Sequence, residues 1–200
     1  MSLAVTDRTR LRRKPTRGSH ELAAVEAILD AGLVCHVAFE GPGGGPVVIP
    51  TTHVRVGDRV YMHGSASNAM LRALGRGLDA CFAVTLLDGL VLAKTAFHHS
   101  VNYRSVVLFG RAEEVTDFAE KRRVLDALLE KLEPGRSQAC RPPNDKELAA
   151  TLVIALPIAE ASAKVRSGPP IPEDGDDRLL PHWHGEIPLR LVRDPPIPAS

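Results

Sequence analysis

The sequence predicts a mainly β domain, a small antiparallel barrel with helices at its flanks. About six strand-like segments follow one another closely, and helical periodicity occurs only between and after them. Turns rich in glycine, proline and aspartate separate these segments. The chain has no glycine-rich loop of the P-loop or dinucleotide-binding type, which argues against a doubly wound nucleotide-binding sheet.

The first half of the chain predicts a helix followed by three strands. Ser19 is expected to cap a helix whose apolar residues recur at helical spacing until Gly32. Strands are expected in three apolar segments, residues 33–39, 47–54 and 59–63. Pro50 removes one backbone donor from the second of these strands, so we expect that strand at a sheet edge or at a bulge.

The second half of the chain predicts further strands and one long helix. Ser67 is expected to cap a short helix, and Asp88-Gly89 to form a turn between two strands. Asp117 is expected to cap the long helix, which ends at Pro134-Gly135. The expected helices lie at 68–74, 118–132 and 145–151, the strands at 80–86, 90–96, 106–115, 152–157 and 158–165, and a loop at 167–182.

Composition and charge predict a globular domain in the cytoplasm. Hydrophobic residues make up 44% of the chain and charged residues 24%, a balance that allows a core. The net charge of +1 gives no general attraction to nucleic acids or membranes. The three cysteines lack CxxC spacing, so neither a disulfide framework nor a zinc knuckle is expected. No apolar stretch is long enough to span a bilayer, and no secretory signal is recognisable.

The chain is expected to divide into an arm, a main domain and a tail. Residues 1–18 carry six basic side chains and few large apolar ones. Such a segment can bind a polyanion, but we expect a solvated arm and no nucleic-acid partner. The main domain covers residues 19–190, and a proline-rich tail covers residues 191–200.

Two motifs indicate a ligand site. Tyr103, Arg104 and Ser105 stand ahead of an apolar run, and their ring, guanidinium and hydroxyl suit a planar, anionic ligand. Residues 61–68 lead from a strand through Gly64 into two serines and a helix start, whose free amides attract phosphate. An ordinary buried strand and an ordinary capped helix explain the same two motifs without a ligand.

Residues 46–74 and 81–115 together resemble the flavin-nucleotide-binding branch of the pyridoxamine 5′-phosphate oxidase-like split-barrel family. Nitroimidazole-resistance proteins belong to the same superfamily. The similarity covers roughly residues 10 to 190, with further matching segments at 141–143, 147–151, 163–166 and 183–185. The resemblance implies a six-stranded antiparallel split β-barrel that forms a homodimer, with FMN bound at the subunit interface.

The resemblance also implies which residues contact the cofactor. It sets backbone groups along the edge of the isoalloxazine ring, at Val48, Ile49, Pro50 and Thr51. It sets a second group near the ribityl phosphate, at His63, Gly64, Ser65 and Asn68. The flavin or the substrate pocket is met by Tyr103, Arg104, Ser105, Lys164 and Arg166, and the partner chain contributes Trp183.

The chain departs from the true pyridoxamine phosphate oxidases at the phosphate. Those enzymes hold the FMN phosphate with an arginine near Pro46 and a lysine near Asn68, and both charges are missing here. Arg104, Lys164 or the helix amides then have to supply the charge. The C-terminal basic cluster that holds the pyridoxal substrate is also missing, so oxidation of vitamin B6 is not expected.

The function expected from these residues is that of an FMN-dependent oxidoreductase acting on an unassigned small molecule. Arg104 or Lys164 would stabilise the reduced flavin anion, and the acid–base candidates are His98 and His99. The alternative is a flavin- or haem-binding protein without turnover of its own. Its axial ligand would come from His36, His53, His63, His98 or His99.

Overall fold

The computed structural model describes residues 1–199, which contain eleven strands and four α-helices. The strands are β1 Gly18–Ser19, β2 Val34–Glu40, β3 Pro46–Thr52, β4 Val54–Val56, β5 Arg59–Ser65, β6 Asp79–Leu92, β7 Ser100–Arg111, β8 Glu113–Glu114, β9 Thr151–Pro157, β10 Glu160–Arg166 and β11 Gly185–Pro188. The helices are α1 Leu22–Ala31, α2 Ala69–Leu74, α3 Phe118–Leu132 and α4 Asp145–Ala149. Short 3-10 turns lie at Pro15–Arg17, Ala96–His98 and Gly175–Leu179.

The chain forms two units, of which the first comprises residues 1–85 and 105–164. Its strand segments form two sheets, one in the order β1-β10-β7-β6-β2-β3 and one in the order β4-β5-β9-β8. The pairs β2–β3, β2–β6, β4–β5 and β5–β9 are antiparallel. One apolar cluster joins α3 to the second sheet through Val54, Tyr61, Val124, Leu128 and Val153. The predicted mainly β, antiparallel split barrel with flanking helices is confirmed.

The second unit comprises residues 86–104 and 165–199. It holds the end of β6, the start of β7 and the antiparallel partner of β6, which is β11. In that pair Gly185 lies opposite Leu92 and Pro188 lies opposite Gly89. Among residues 1–199, no helix has the length and apolar character that a membrane span requires.

The turn predicted at Asp88-Gly89 is wrong, because β6 runs without a break from Asp79 to Leu92. The backbone at this point is occupied by β11 and the residue that follows it, since the Leu189 amide donates to the Asp88 carbonyl at 3.0 Å. A Cβ atom on Gly89 would lie 3.1 Å from the Ile187 carbonyl oxygen. The glycine therefore marks a close approach of two strands and not a turn.

Three predicted starts also shift, one of a strand and two of helices. β7 begins at Ser100, so residues 103–105 lie inside a strand and not ahead of it. α1 is capped at Glu21, because Ser19 belongs to β1. α2 is capped by the Asn68 side chain, which accepts a hydrogen bond from the Leu71 amide, and not by Ser67. The predicted cap of α3 at Asp117 is confirmed by its bond from the Glu120 amide.

The N-terminal segment is not the fully solvated arm that its charge predicts. Leu3 and Thr9 are buried. Arg8 forms salt bridges with Glu160, on β10, and with Asp79, on β6, at 2.7 Å for the second pair. These contacts attach the segment to the first unit. Of the predicted tail, residues 191–199 form no helix or strand, and Ser200 lies outside the described residues.

Candidate cofactor site

The predicted cofactor residues divide between the two units. The first unit holds those on β3, β5 and the α2 cap, together with Ser105 and Lys164. The second unit holds Tyr103, Arg104, Arg166 and Trp183.

β3 is an edge strand, as its internal proline predicts. It ends the strand order of its sheet, and its side chains alternate, so that Val48 and Pro50 are exposed while Ile49 and Thr51 are half-buried. Ile49 also lines an apolar cavity of about 480 Å³ together with Phe39, Val47, Ala69 and Met70. The structure thus brings β3, which is predicted to lie along the edge of the isoalloxazine ring, and the start of α2 to one concave surface.

The turn from β5 into α2 is tied together by its own polar groups. The Ser65 hydroxyl accepts a hydrogen bond from the Ser67 amide at 3.2 Å and lies 2.9 Å from the Ser67 hydroxyl. The Asn68 amide donates to the Ser65 carbonyl at 2.9 Å, and the Asn68 side chain caps the Leu71 amide at 3.0 Å. The serine hydroxyls are exposed, but part of the amide cradle predicted for a phosphate is already occupied.

Gly64 and His63 have structural roles of their own. A Cβ atom on Gly64 would lie 2.9 Å from a methyl group of Leu71, so the glycine lets α2 pack against β5. His63 is half-buried, and burial lowers the pKa of its imidazole below the usual value. His63 is therefore a neutral side chain at pH 7 and supplies no positive charge to a phosphate.

Ser105 and Lys164 are neighbours across β7 and β10. The Ser105 hydroxyl donates to the Lys164 carbonyl at 3.3 Å. The Lys164 ammonium donates to the Arg13 carbonyl at 3.1 Å, which ties it to the N-terminal segment. An ammonium has three donors, so Lys164 keeps capacity for an anionic ligand.

Arg104 is held by a carboxylate that the sequence analysis missed. Its Nε and Nη2 donate to the two oxygens of Asp88 at 2.9 and 2.7 Å, a bidentate pair. The hydrogen bonds that Arg104 donates to Asp88 raise the pKa of Arg104, against the opposing effect of burial. The predicted turn at Asp88 hid this pairing, because a continuous β6 is the neighbour of β7 and a broken one is not.

Arg166 is buried and joins three segments of the second unit. Its guanidinium donates to the Asn102 side chain and to the carbonyls of Gly168 and Pro169, at 2.9 and 3.1 Å for the two carbonyls. The Asn102 amide in turn donates to the Glu186 carboxylate at 2.6 Å. Only 6% of Arg166 is exposed. Its guanidinium links β7 directly to residues 168–169 and, through Asn102, links β7 to Glu186 on β11.

Trp183 lies on the surface of the second unit. It is 62% exposed, and its ring lies against Gly185, where a Cβ atom would approach it to 3.1 Å. Tyr103 is half-buried in β7. An exposed tryptophan is the kind of side chain that a partner surface or a ligand covers.

His98, the first of the two histidines after β6, is oriented by Glu173, a residue that the sequence analysis did not select. Nδ1 of His98 lies 2.6 Å from the carboxylate of Glu173. Glu173 also accepts hydrogen bonds from the Thr95 amide and hydroxyl, each at 3.0 Å. Burial raises the pKa of Glu173, but the hydrogen bonds from His98 and Thr95 outweigh it and lower that pKa overall. Glu173 was hidden in a predicted loop with no motif around it.

A second titratable cluster lies in the core of the first unit. The Lys131 ammonium donates to the Leu29 carbonyl at 2.9 Å and lies 3.2 Å from Nε2 of His53. Burial lowers the pKa of His53 to about 4 and the pKa of Lys131 to about 8, and it raises the pKa of Cys35 to about 12. His53 is fully buried, which excludes it as a ligand for a large cofactor.

A family model described as pyridoxamine 5′-phosphate oxidase matches residues 21–165. The chain belongs to this family. The resemblance stated from the sequence is therefore confirmed. A comparison with curated protein sequences gives no match.

Two solved structures are similar to this chain over nearly its whole length. The flavocytochrome Anf3 from Azotobacter vinelandii is 44% identical with a TM-score of 0.89, over 97% of this chain and 89% of that one. The FAD and haem binding protein from Mycobacterium smegmatis is 39% identical with a TM-score of 0.85, over 92% of this chain and 89% of that one. Both similarities extend beyond residues 21–165 of the family match.

A third structure shares the fold alone. A candidate 5-nitroimidazole antibiotic resistance protein from Bacteroides thetaiotaomicron is 22% identical with a TM-score of 0.62, over 74% of this chain and 86% of that one. Within the part of the chain that the structure describes, no three histidine, cysteine, aspartate or glutamate side chains are grouped as a metal ion requires.

Proposed function

We propose that this member of the pyridoxamine 5′-phosphate oxidase family is a redox protein that binds a flavin nucleotide and haem. The observation that carries the proposal is the similarity to two proteins named for these cofactors, at 44% and 39% identity over 97% and 92% of this chain. The family match alone supports a flavin site, and the full-length similarity adds haem.

The flavin is FMN in the prediction from sequence and FAD in the name of the Mycobacterium smegmatis relative. Both nucleotides carry the same isoalloxazine ring, so the unpaired edge of β3 that is predicted to bind this ring suits either nucleotide. The bound flavin would supply the electron-transfer chemistry. We therefore propose that the chain binds a flavin nucleotide, and titration with FMN and with FAD identifies which of the two it binds.

The residues of the first unit fit a flavin in three respects. β3 offers an unpaired strand edge whose backbone groups can bond to the polar rim of the ring. The exposed hydroxyls of Ser65 and Ser67 are donors for a phosphate. The Lys164 ammonium supplies positive charge. These groups bind and orient the cofactor in the proposal.

The second unit holds an ordered cation. Arg104 is held by Asp88 in a bidentate pair, and its side chain is 42% exposed, so one edge of the guanidinium can face a ligand. A guanidinium fixed in advance loses little side-chain entropy when it binds. In the proposal Arg104 stabilises negative charge on the reduced flavin.

We propose further that the protein is a homodimer in the cytoplasm, with residues 19–190 as the cofactor-binding domain and a small molecule as its substrate. The second unit exposes the large apolar side chains of Phe97, Leu179 and Trp183, at 90%, 82% and 62% of their surfaces. Exposed apolar side chains in such number favour association or ligand binding.

A titration with the separate cofactors tests the proposed function. The purified chain is titrated with FMN, FAD and haemin in turn, and binding is followed by flavin fluorescence and by the Soret band. We expect saturable binding of one flavin nucleotide and of haem, and electron transfer to the haem once the flavin is reduced. Saturation without any electron transfer to haem or to a small molecule would favour the alternative, a binding protein without turnover.

A further inference from the structure

We propose that His98, oriented by Glu173, is the axial ligand of the haem iron. The inference rests on the proposed function, because it assigns a residue to the haem that the function includes. The porphyrin provides four nitrogen ligands to the iron, so one correctly oriented imidazole from the chain completes the attachment.

The structure separates the five candidate histidines. His53 is fully buried in the first unit, and its Nε2 lies 3.0 Å from the Leu29 carbonyl and 3.2 Å from the Lys131 ammonium. Within residues 1–199, the imidazoles of His36 and His63 have no hydrogen-bond partner that would fix their rings. His98 and His99 remain, and both have an oriented Nδ1.

An imidazole that ligates a metal usually donates its other N–H group to a carboxylate or a carbonyl. His98 has this arrangement, with Nδ1 at 2.6 Å from Glu173. The carboxylate accepts further bonds from the Thr95 amide and hydroxyl and is only 6% exposed. With Nδ1 of His98 turned toward the Glu173 acceptor, a proton on Nδ1 makes this hydrogen bond and leaves the lone pair of Nε2 for iron.

The second unit exposes apolar side chains beside His98 and in the turn after Glu173, which suits an apolar, planar ligand. Phe97 is 90% exposed, and its ring contacts that of His98 with a centroid separation of 5.2 Å. Leu179, in the turn that follows Glu173, is 82% exposed. Positive charge for the haem propionates is available in the same unit, where the Lys94 ammonium donates to the Arg178 carbonyl at 2.6 Å.

His99 is the matched control. Its Nδ1 donates to the Thr95 carbonyl at 2.9 Å, so its ring is also oriented, but by a neutral group. His99 is exposed, whereas the His98 side chain is 30% exposed. The charged partner and the partial burial favour His98, since a carboxylate makes the imidazole a stronger electron donor.

Three variants test the assignment: His98→Ala, His99→Ala and Glu173→Gln. Each is purified, loaded with haem and compared with the unchanged protein by pyridine haemochromogen assay, Soret spectrum and resonance Raman spectrum of the ferrous form. His98→Ala is expected to lose the iron–histidine stretching band and most of its haem, and imidazole in the buffer is expected to restore the spectrum. His99→Ala is expected to retain the spectrum of the unchanged protein.

Glu173→Gln separates positioning from folding. It is expected to keep the iron–histidine band at lower frequency, to raise the haem midpoint potential, and to weaken haem binding by about 10–100-fold, as is usual for partners of metal ligands. Flavin content and circular dichroism report whether each variant folds. If His98→Ala fails to fold, an unchanged band and potential in Glu173→Gln overturn the inference.

The outcomes distinguish this inference from the proposed function. If the unchanged protein binds flavin and haem, and His98→Ala keeps the iron–histidine band, the inference is wrong and the function stands. If the band is lost in His99→Ala instead, His99 is the ligand and the inference is again wrong. If the unchanged protein takes up no haem at all, the haem part of the proposed function fails, and the inference fails with it.

Discussion

Arg104 and Asp88 show how a single residue in this chain depends on a partner distant in sequence. The guanidinium is a good anion ligand only if its direction is fixed, and Asp88 fixes it through two bonds of 2.9 and 2.7 Å. Arg104 could be selected from the sequence because it stands in a polar motif. Asp88 could not, because an Asp-Gly pair has a stronger local meaning as a turn.

Replacing Arg104 by alanine is expected to weaken flavin retention by about 1–3 kcal/mol, the range for a hydrogen bond to a charged group. Asp88→Ala is expected to weaken it in the same direction, because the guanidinium then loses its orientation. Flavin occupancy after gel filtration measures both effects. Arg141→Ala is the control, because Arg141 is exposed and pairs with Glu147 in the first unit. Unchanged occupancy in Arg104→Ala would remove this residue from the site.

His53 makes the stability of the protein depend on pH. Burial lowers its pKa from 6.5 to about 4, so the unfolded chain binds a proton more readily than the folded one between these values. The contribution of neutral, buried His53 to the free energy of unfolding is therefore fully present above pH 6.5 and is lost as the pH falls toward 4. The loss is on the order of 3 kcal/mol, at 1.36 kcal/mol for each unit of pKa.

Urea unfolding at several pH values measures this effect. His53→Gln cannot take up the proton, so we expect its free energy of unfolding to fall less between pH 6.5 and pH 4 than that of the unchanged protein. Carboxylates elsewhere contribute equally to both proteins and cancel in the comparison. Parallel pH curves for the two proteins would show that His53 does not titrate in this way.

At the scale of whole elements, patterns that depend on neighbours in sequence were predicted well. Asp117 and the apolar periodicity after it fix α3 at the predicted bounds, and Pro50 correctly predicts an edge strand. The errors at Ser19 and at Asp88-Gly89 occur where a distant strand takes the backbone groups that a local pattern assigns to a cap or a turn. Gly89 is the clearest example, since β11 explains it and lies about a hundred residues further along the chain.

Gly89→Ala is expected to destabilise the protein by about 1–3 kcal/mol, the usual range for overpacking. The added methyl group would lie 3.1 Å from the Ile187 carbonyl and would push β11 away from β6. Gly45→Ala is the control, because a methyl group there meets no atom within 4 Å. Thermal unfolding of both variants measures the difference. Equal melting temperatures would contradict the close approach of the two strands.

At the scale of the whole molecule, the proposal combines a family fold with a C-terminal segment that lies beyond the family match. An antiparallel barrel with an edge strand follows from the hydrophobic pattern and the turns of the sequence, and its split form follows from the family resemblance. The orientation of His98 does not, because Glu173 reaches it from a segment without any periodic pattern or motif. Contacts of this kind depend on how distant segments fold together, and one sequence alone does not encode them in a readable form.

The proposed homodimer is testable in solution. Native mass spectrometry at micromolar concentration is expected to give twice the chain mass of 21.5 kDa, and Trp183→Ser is expected to shift the population toward the monomer because it removes an exposed aromatic side chain. A dilution series gives the dissociation constant for both proteins. A monomeric mass for the unchanged protein at all concentrations would contradict an interface site.

The most direct measurement for the account as a whole is the cofactor content of freshly isolated protein, determined by denaturing extraction and mass spectrometry. We expect one flavin nucleotide and haem to be released in amounts comparable with the protein. Their absence from the extract, together with no uptake of either cofactor on titration, would contradict the claim that this chain is a flavin and haem protein.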